Sequence, residues 1–190
     1  MSTLRRIAVL AVPVAALLAS GCASPTIDFS DIERPPRAAE LDAYNAFVGK
    51  WIWGAEIVNA EGANKEWTGE ATWKWALDER CLRGDISARS SDASFDASGI
   101  WSWHPTNKKY IWWMFNNWGY PQEGTASYDA ETKCWSMNYK SVGLDGTPSY
   151  GRYTMKFVSD DLLEWDLTEW ADAMHMFPKL EMKGTYKRIG

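Results

Sequence analysis

Three features of the sequence predict an all-β domain: an antiparallel up-and-down barrel of about 8–10 strands behind one short N-terminal helix. From Trp51 onward, apolar residues recur at every second position, in runs broken by turn residues. The stretch Gly99–Phe115 sets two aromatic runs either side of a polar turn, Pro105–Lys108, which is a hairpin pattern. That hairpin returns 25 residues later, with Gly99, Ser102 and Lys108 matched by Gly124, Ser127 and Lys133. Trp103 and Tyr110 become Tyr128 and Trp135. A repeated hairpin implies a meander with one aromatic face turned to a shared interior.

The elements follow in order. Met1–Arg6 carries Arg5 and Arg6 and no acid, and Ile7–Ala19 is an apolar run of thirteen residues. That run is shorter than the ~20 residues a transmembrane helix needs, and small residues then lead to Cys22. Residues 1–21 therefore read as an export signal. Residues 22–38 hold Pro25, Pro35 and Pro36 among mixed charges and read as a flexible tether, leaving 39–190 for the barrel domain. Leu41, Tyr44, Phe47 and Val48 have helical spacing, and Gly49 is a stop.

Trp51–Ala60 is the first strand, closed by a turn at Glu61–Asn64. In Glu66–Leu77, Trp67, Gly69, Ala71, Trp73 and Trp75 share one face. Cys81–Arg89 is a shorter strand, and Ser90–Ser98 reads as a polar loop. The hairpin and its echo come next, joined by Asn116–Pro121. Trp135, Met137 and Tyr139 alternate up to a tight turn at Asp145-Gly146. Gly151, Tyr153, Met155 and Phe157 form one inward set, and Leu163, Trp165 and Leu167 form the next. Leu180–Arg188 is the closing strand.

Composition narrows the function. The net charge of −5 becomes about −7 once the signal is removed, which argues against nucleic acid and against docking on anionic lipid. All 13 Trp lie beyond residue 50, where they supply large buried areas and stacking faces. An exported chain permits a disulfide between Cys81 and Cys134, with two buried thiols as the alternative. The common hydrolase, metalloprotease, dithiol and phosphate-loop signatures are absent, so no catalytic residue, cofactor or metal is expected. His104 belongs to a hairpin turn. His175, in Met174-His175-Met176, would point away from both Met on a strand and reads as strand-end packing. Glu169 continues the inward register of Trp165 and Leu167, where a charge requires a partner; the alternative is a frayed, solvated strand end.

Two resemblances sharpen these readings. Ala19-Ser20-Gly21-Cys22 resembles the lipobox of bacterial lipoproteins, which implies lipidation at Cys22. Ala23 stands where an inner-membrane retention signal of that family has Asp, which implies an outer-membrane anchor facing the periplasm. Ala46-Phe47-Val48-Gly49-Lys50-Trp51, a short helix entering Gly-x-Trp, resembles the opening of the calycin superfamily of lipocalins and fatty-acid-binding proteins. Tyr128-Asp129 and Tyr186-Lys187-Arg188 are similar to a group of bacterial lipocalin-like lipoproteins. The resemblance implies Arg188 packed across the Trp51 indole. An immunoglobulin-type sandwich is the competing architecture.

The leading expectation is a barrel that binds a small apolar or amphipathic ligand. The inward Trp67, Trp73, Trp101, Trp103, Tyr139, Tyr153 and Trp165 would form its lining, with Glu169 taking a polar end. Its partners would be the membrane, through the lipid anchor, and that ligand. The second expectation is a filled barrel serving as a structural or interaction lipoprotein, and the third an enzyme using Glu169.

Overall fold

Leu41, Tyr44 and Phe47 recur at every third residue, a spacing that lines one face of a 3-10 helix. The computed structural model, which describes residues 33–58, 66–143 and 146–190, has a 3-10 helix at Ala39–Phe47 with those three side chains buried. The signal, Cys22, most of the tether, the turn at 61–64 and Asp145 lie outside the described residues. The compact unit spans Pro36–Gly190. Arg37, at the end of the expected tether, donates to the Glu79 carbonyl at 2.8 Å and lies over the Trp75 ring at 4.9 Å.

Ten strands follow: β1 Gly49–Ile57, β2 Glu66–Ala76, β3 Cys81–Arg89, β4 Ser94–His104 and β5 Lys109–Asn116, then β6 Gln122–Asp129, β7 Cys134–Val142, β8 Pro148–Ser159, β9 Leu162–Trp170 and β10 Pro178–Arg188. Each pairs antiparallel with its neighbours in sequence, and β10 pairs with β1, so the sheet closes on itself as an up-and-down barrel. Closure leaves no free edge and rules out the two-sheet sandwich. One expectation changes. Ser94–Ser98 is strand rather than loop, because Phe95 and Ala97 keep the inward alternation beneath the polar Ser94, Asp96 and Ser98.

The helix closes one end of the barrel. Tyr44 stacks on Trp135 with centroids 4.9 Å apart, and Phe47 meets Phe157 edge-on at 5.0 Å. Barrel donors hold the plug by its polar groups. Trp51 Nε1 donates to the Phe47 carbonyl at 2.8 Å, Trp75 Nε1 to Asn45 Oδ1 at 3.0 Å, and the Tyr110 hydroxyl to the Glu40 carbonyl at 2.8 Å. Arg188 pairs in register with Trp51, and its guanidinium sits 4.2 Å from the indole centroid. It also donates to the carbonyls of Val48, Ala46 and Asp160 and pairs with the Asp161 carboxylate. Gly49, at φ +134, leaves room for this: a β-carbon there would lie 2.7 Å from the guanidinium.

Along the wall, five inward rings face a glycine directly across the ladder: Trp53–Gly69, Trp73–Gly84, Trp112–Gly124, Tyr139–Gly151 and Trp165–Gly184. In each pair a β-carbon on the glycine would collide with the ring. The rings therefore lie down against the wall, and neighbouring rings touch. Trp53, Trp165, Tyr153, Tyr139, Trp112 and Trp101 form a continuous belt with centroids 5.5–6.3 Å apart.

Cys81 and Cys134 are free thiols. They open β3 and β7, four strands apart around the wall, which is about 19 Å at the usual strand spacing. Both alternate with the inward Leu82 and Trp135, yet Cys81 is buried and Cys134 half-buried. A bridge needs Cα atoms within about 7 Å, and the fold excludes it.

Candidate functional site

Strand direction decides where the site lies. β1 starts at the helix plug, so the opposite end of the barrel is formed by the ends of the odd-numbered strands and the starts of the even-numbered ones. At this open end one row of the ladder reads Trp112–Gly124–Tyr139–Gly151–Glu169–Leu180 across β5 to β10. Tyr139 is flanked by glycine on both sides. With no side chain at Gly151, its ring crosses β8 and its hydroxyl donates to Glu169 Oε1 at 2.5 Å.

Glu169 thus keeps the inward register expected from the sequence and has a protein partner. Tyr139 is 4 % exposed, while Glu169 and Tyr153 are only partly buried. Burial first, then the Glu169 carboxylate, pushes the Tyr139 phenol well above its ordinary range; the same two causes raise Tyr153. Among the described strand residues, Glu169 and Arg188 are the charged side chains at inward positions, and Arg188 is spent at the opposite end.

One inward position nearer the mouth, the same wall is polar. Ser149, 2 % exposed, follows Gly151, and Gln122 follows Gly124; Ser149 Oγ and Gln122 Oε1 are buried without a hydrogen-bond partner. Ser141 pairs with Ser149 and donates to the Pro121 carbonyl at 3.2 Å. The facing wall is apolar. It carries Ala55, Trp67, Ala88, Phe95 and Ala97, and Trp118 folds over it from the β5–β6 loop. Trp118 is pinned there by its Nε1 donating to the Ser94 carbonyl at 2.9 Å. The indole Nε1 atoms of Trp53, Trp67, Trp112 and Trp165 are likewise buried and unpartnered. A buried donor or acceptor left unmatched is costly, and among the described residues such atoms, those of Tyr44 and Trp135 at the plug aside, lie along this inner wall.

The aromatic residues expected to line a site divide into two groups. Trp67, Tyr139, Tyr153 and Trp165 reach the open half with Glu169. Trp73 packs on Phe47, and Trp103 on Tyr110, in the layer beneath the plug; Trp101 stacks on Trp112 between them. Sequence reasoning missed Gln122, Ser149 and Trp118. The signal for Ser149 is its even spacing from Gly151 and Tyr153 on one strand.

His175 corrects a second expectation. It sits in the β9–β10 loop at φ +60, not on a strand, and stacks on Trp170 at 4.2 Å. Asp172 organises that loop by accepting from the amides of Met174, Met176 and Phe177, and these bonds hold its carboxyl below the usual range despite the opposing effect of desolvation. His104 Nδ1 accepts from the Asn107 amide at 3.2 Å, within the hairpin turn. Two open clefts, of about 540 and 390 Å³, lie on the outer wall, one over Gly54 and Gly184 and the other over Gly124 and Gly151.

No family model matches the sequence, and no curated protein matches it. Solved structures do share the fold. Rv2717c from M. tuberculosis superimposes with a TM-score of 0.59 at 13 % identity, over 82 % of this chain and 100 % of that one. The S-type phycobiliprotein lyase CPES from Guillardia theta gives 0.54 at 11 % identity, over 81 % of this chain and 94 % of the lyase. At these identities the likeness is one of fold alone, that of the closed antiparallel barrel.

Proposed function

We propose that this chain is an exported, lipid-anchored envelope protein whose barrel binds a small amphipathic ligand through its open end. The observation that carries the binding reading is the placement of Glu169. A carboxylate faces inward and accepts from Tyr139, whose ring meets Tyr153 and through it Trp165, with an apolar wall opposite. A ligand with an apolar body and a polar head would use both walls at once. The test is a titration of intrinsic Trp fluorescence with fatty acids, isoprenoids and an envelope lipid extract. A saturable change, with the negative heat-capacity change of apolar burial, is the expected result. No saturable change with any of them would remove the reading.

Anchoring is supported by the Arg5-Arg6 start, the short apolar run and Ala19–Cys22. The native chain should partition into detergent and Cys22→Ala into the aqueous phase. Aqueous partitioning of both would exclude a lipid anchor, and with it the outer-membrane location. A second reading, a filled structural barrel, draws on the rings laid against glycine along the wall. It is the survivor if the titration is flat.

A further inference from the structure

The two ends of the barrel expose apolar side chains unevenly. Among the described residues, the closed end exposes Leu77, Val158 and Ile189, on three separate segments. The mouth exposes Phe115 and Trp118 around the β5–β6 loop, Val142 at the end of β7, and Met174, Met176 and Phe177 in the β9–β10 loop. These segments are neighbours round the rim. Ser141 joins β7 to the β5–β6 loop through the Pro121 carbonyl, and Lys179 Nζ donates to Thr147 Oγ1 at 3.2 Å, joining β10 to the β7–β8 loop. The turn on the far side holds Ser90, Ser91 and Asp92.

The β9–β10 loop is ordered around its apolar residues. Asp172 accepts from the amides of Met174, Met176 and Phe177, and His175 stacks on Trp170. Yet Met174 is 78 % exposed and Phe177 65 %. A rim of large apolar side chains held in water marks a contact surface. Little charge opposes pressing it against lipid. Residues 116–121 carry none, and residues 171–177 have no Lys or Arg and one acid, Asp172, which is turned onto those amides. Trp, Phe and Met on separate loop tips suit the interfacial layer of a bilayer, where apolar area rather than attraction to anionic head groups gives the affinity.

The length of the chain allows it. Arg37 is bonded at the closed end, to the Glu79 carbonyl, and stands fifteen residues on from Cys22. Fully extended, fifteen residues reach about 50 Å, against about 36 Å for the eleven residues of β10. An acyl chain on Cys22 therefore leaves the mouth free to meet the same leaflet. We infer that this half of the mouth rests on a neutral lipid leaflet, with its apolar tips in the interfacial layer. This rests on the reading that the chain is lipid-anchored and takes an amphiphile; it adds that the ligand passes between leaflet and lumen without crossing water.

The full-length chain, purified with its anchor, is placed on phosphatidylcholine vesicles that carry a nitroxide near the lipid glycerol. A fluorophore is attached at the mouth through Met176→Cys, or at the closed end through Val158→Cys, each with Cys134→Ser. Quenching at position 176 should be at least about threefold that at 158, and equal in low and high salt. Met174→Ser with Phe177→Ser should bring the two positions within about twofold of each other.

Equal quenching at the two positions, or more at 158, would overturn the docked mouth, as would its loss in high salt. Self-quenching of the 176 fluorophore on vesicles without nitroxide would assign the rim to a second copy instead. Flotation with the vesicles reads the anchor separately. A chain that does not float has neither anchor nor docked mouth, whereas a floating chain whose position 176 stays in water loses the docking alone.

Discussion

The two ends of this barrel use polar groups in opposite ways. At the closed end, donors from the wall terminate on the plug: Trp51, Trp75 and Tyr110 each reach an oxygen of the 3-10 helix, and Arg188 ties together Ala46, Val48 and Asp160. Most acceptors there are main-chain carbonyls, which any sequence would supply. The donors are what this sequence adds. At the open end the balance reverses, because Ser149, Gln122, Trp67 and Trp165 bury polar atoms that the protein does not match. One end is tied shut by its own side chains, and the other keeps most of its buried polar atoms without a partner among the described residues. Tyr44 and Trp135 are the exceptions at the closed end. Their polar atoms are unmatched inside a stacked pair, a cost offset by ring contact.

Alkali breaks both ends at once and has the largest expected effect. Tyr44, Tyr139 and Tyr186 are buried, and burial raises each phenol above its ordinary value. With Tyr153, raised by burial and by Glu169, the folded state therefore holds four protons that the unfolded chain releases near pH 10. The stabilisation is fully present below that pH and is lost as the pH rises through and beyond it. Each phenol contributes a slope of about 1.4 kcal/mol per pH unit, so unfolding free energy should fall by roughly 5 kcal/mol per unit above pH 10 to 11. Denaturant titrations across that range measure it. A flat profile would mean that the phenols are not sequestered.

Arg188→Met separates the ends. It keeps the aliphatic stem over Trp51 and removes the guanidinium, at a cost of about 3 kcal/mol, or roughly 9 °C in a thermal melt. Ligand affinity at the open end should be unchanged, and a loss of both would show that the ends are coupled. Gly151→Ala acts at the other end. Its new methyl group occupies the space of the Tyr139 ring, so stability should drop by about 2 kcal/mol and the Glu169 contact should be lost. Tyr139→Phe is the mildest, at about 1 kcal/mol, because the ring stays and only the hydroxyl's bond to Glu169 goes. Thermal melts rank the three. A larger effect from Tyr139→Phe than from Gly151→Ala would refute the close packing of ring on glycine.

Strand identity and the inward face are legible in the sequence because period-two alternation is a local property. Tyr153, Trp165, Leu167 and Glu169 read correctly from it. The Arg188–Trp51 contact is implied by the resemblance of Gly49-Lys50-Trp51 to a Gly-x-Trp opening, and the geometry has it. Across-strand relations are not legible. Nothing local says that Tyr139 will lie opposite Gly151, or that Trp73 belongs beneath the plug while Trp67 belongs at the mouth. The Ser94–Ser98 segment reads as loop because its outward Ser94, Asp96 and Ser98 outweigh a modest inward pair, Phe95 and Ala97. His175 escapes the alternation rule because Asp172, by capping three amides, turns the chain into a loop that no such rule describes.

The ring-on-glycine pairs also bear on how the chain finds its alignment. Alternation penalises a slip of one residue, since every side chain changes face, but it tolerates a slip of two. Here a two-residue slip would set Tyr139 against Ser149 or Tyr153, Trp165 against Met182 or Tyr186, and Trp53 against Trp67 or Ala71. None of those positions offers the vacant surface on which each ring lies. Five glycines spread over five ladders thus act as teeth in a ratchet, rejecting the misalignments that hydrophobic patterning alone would accept.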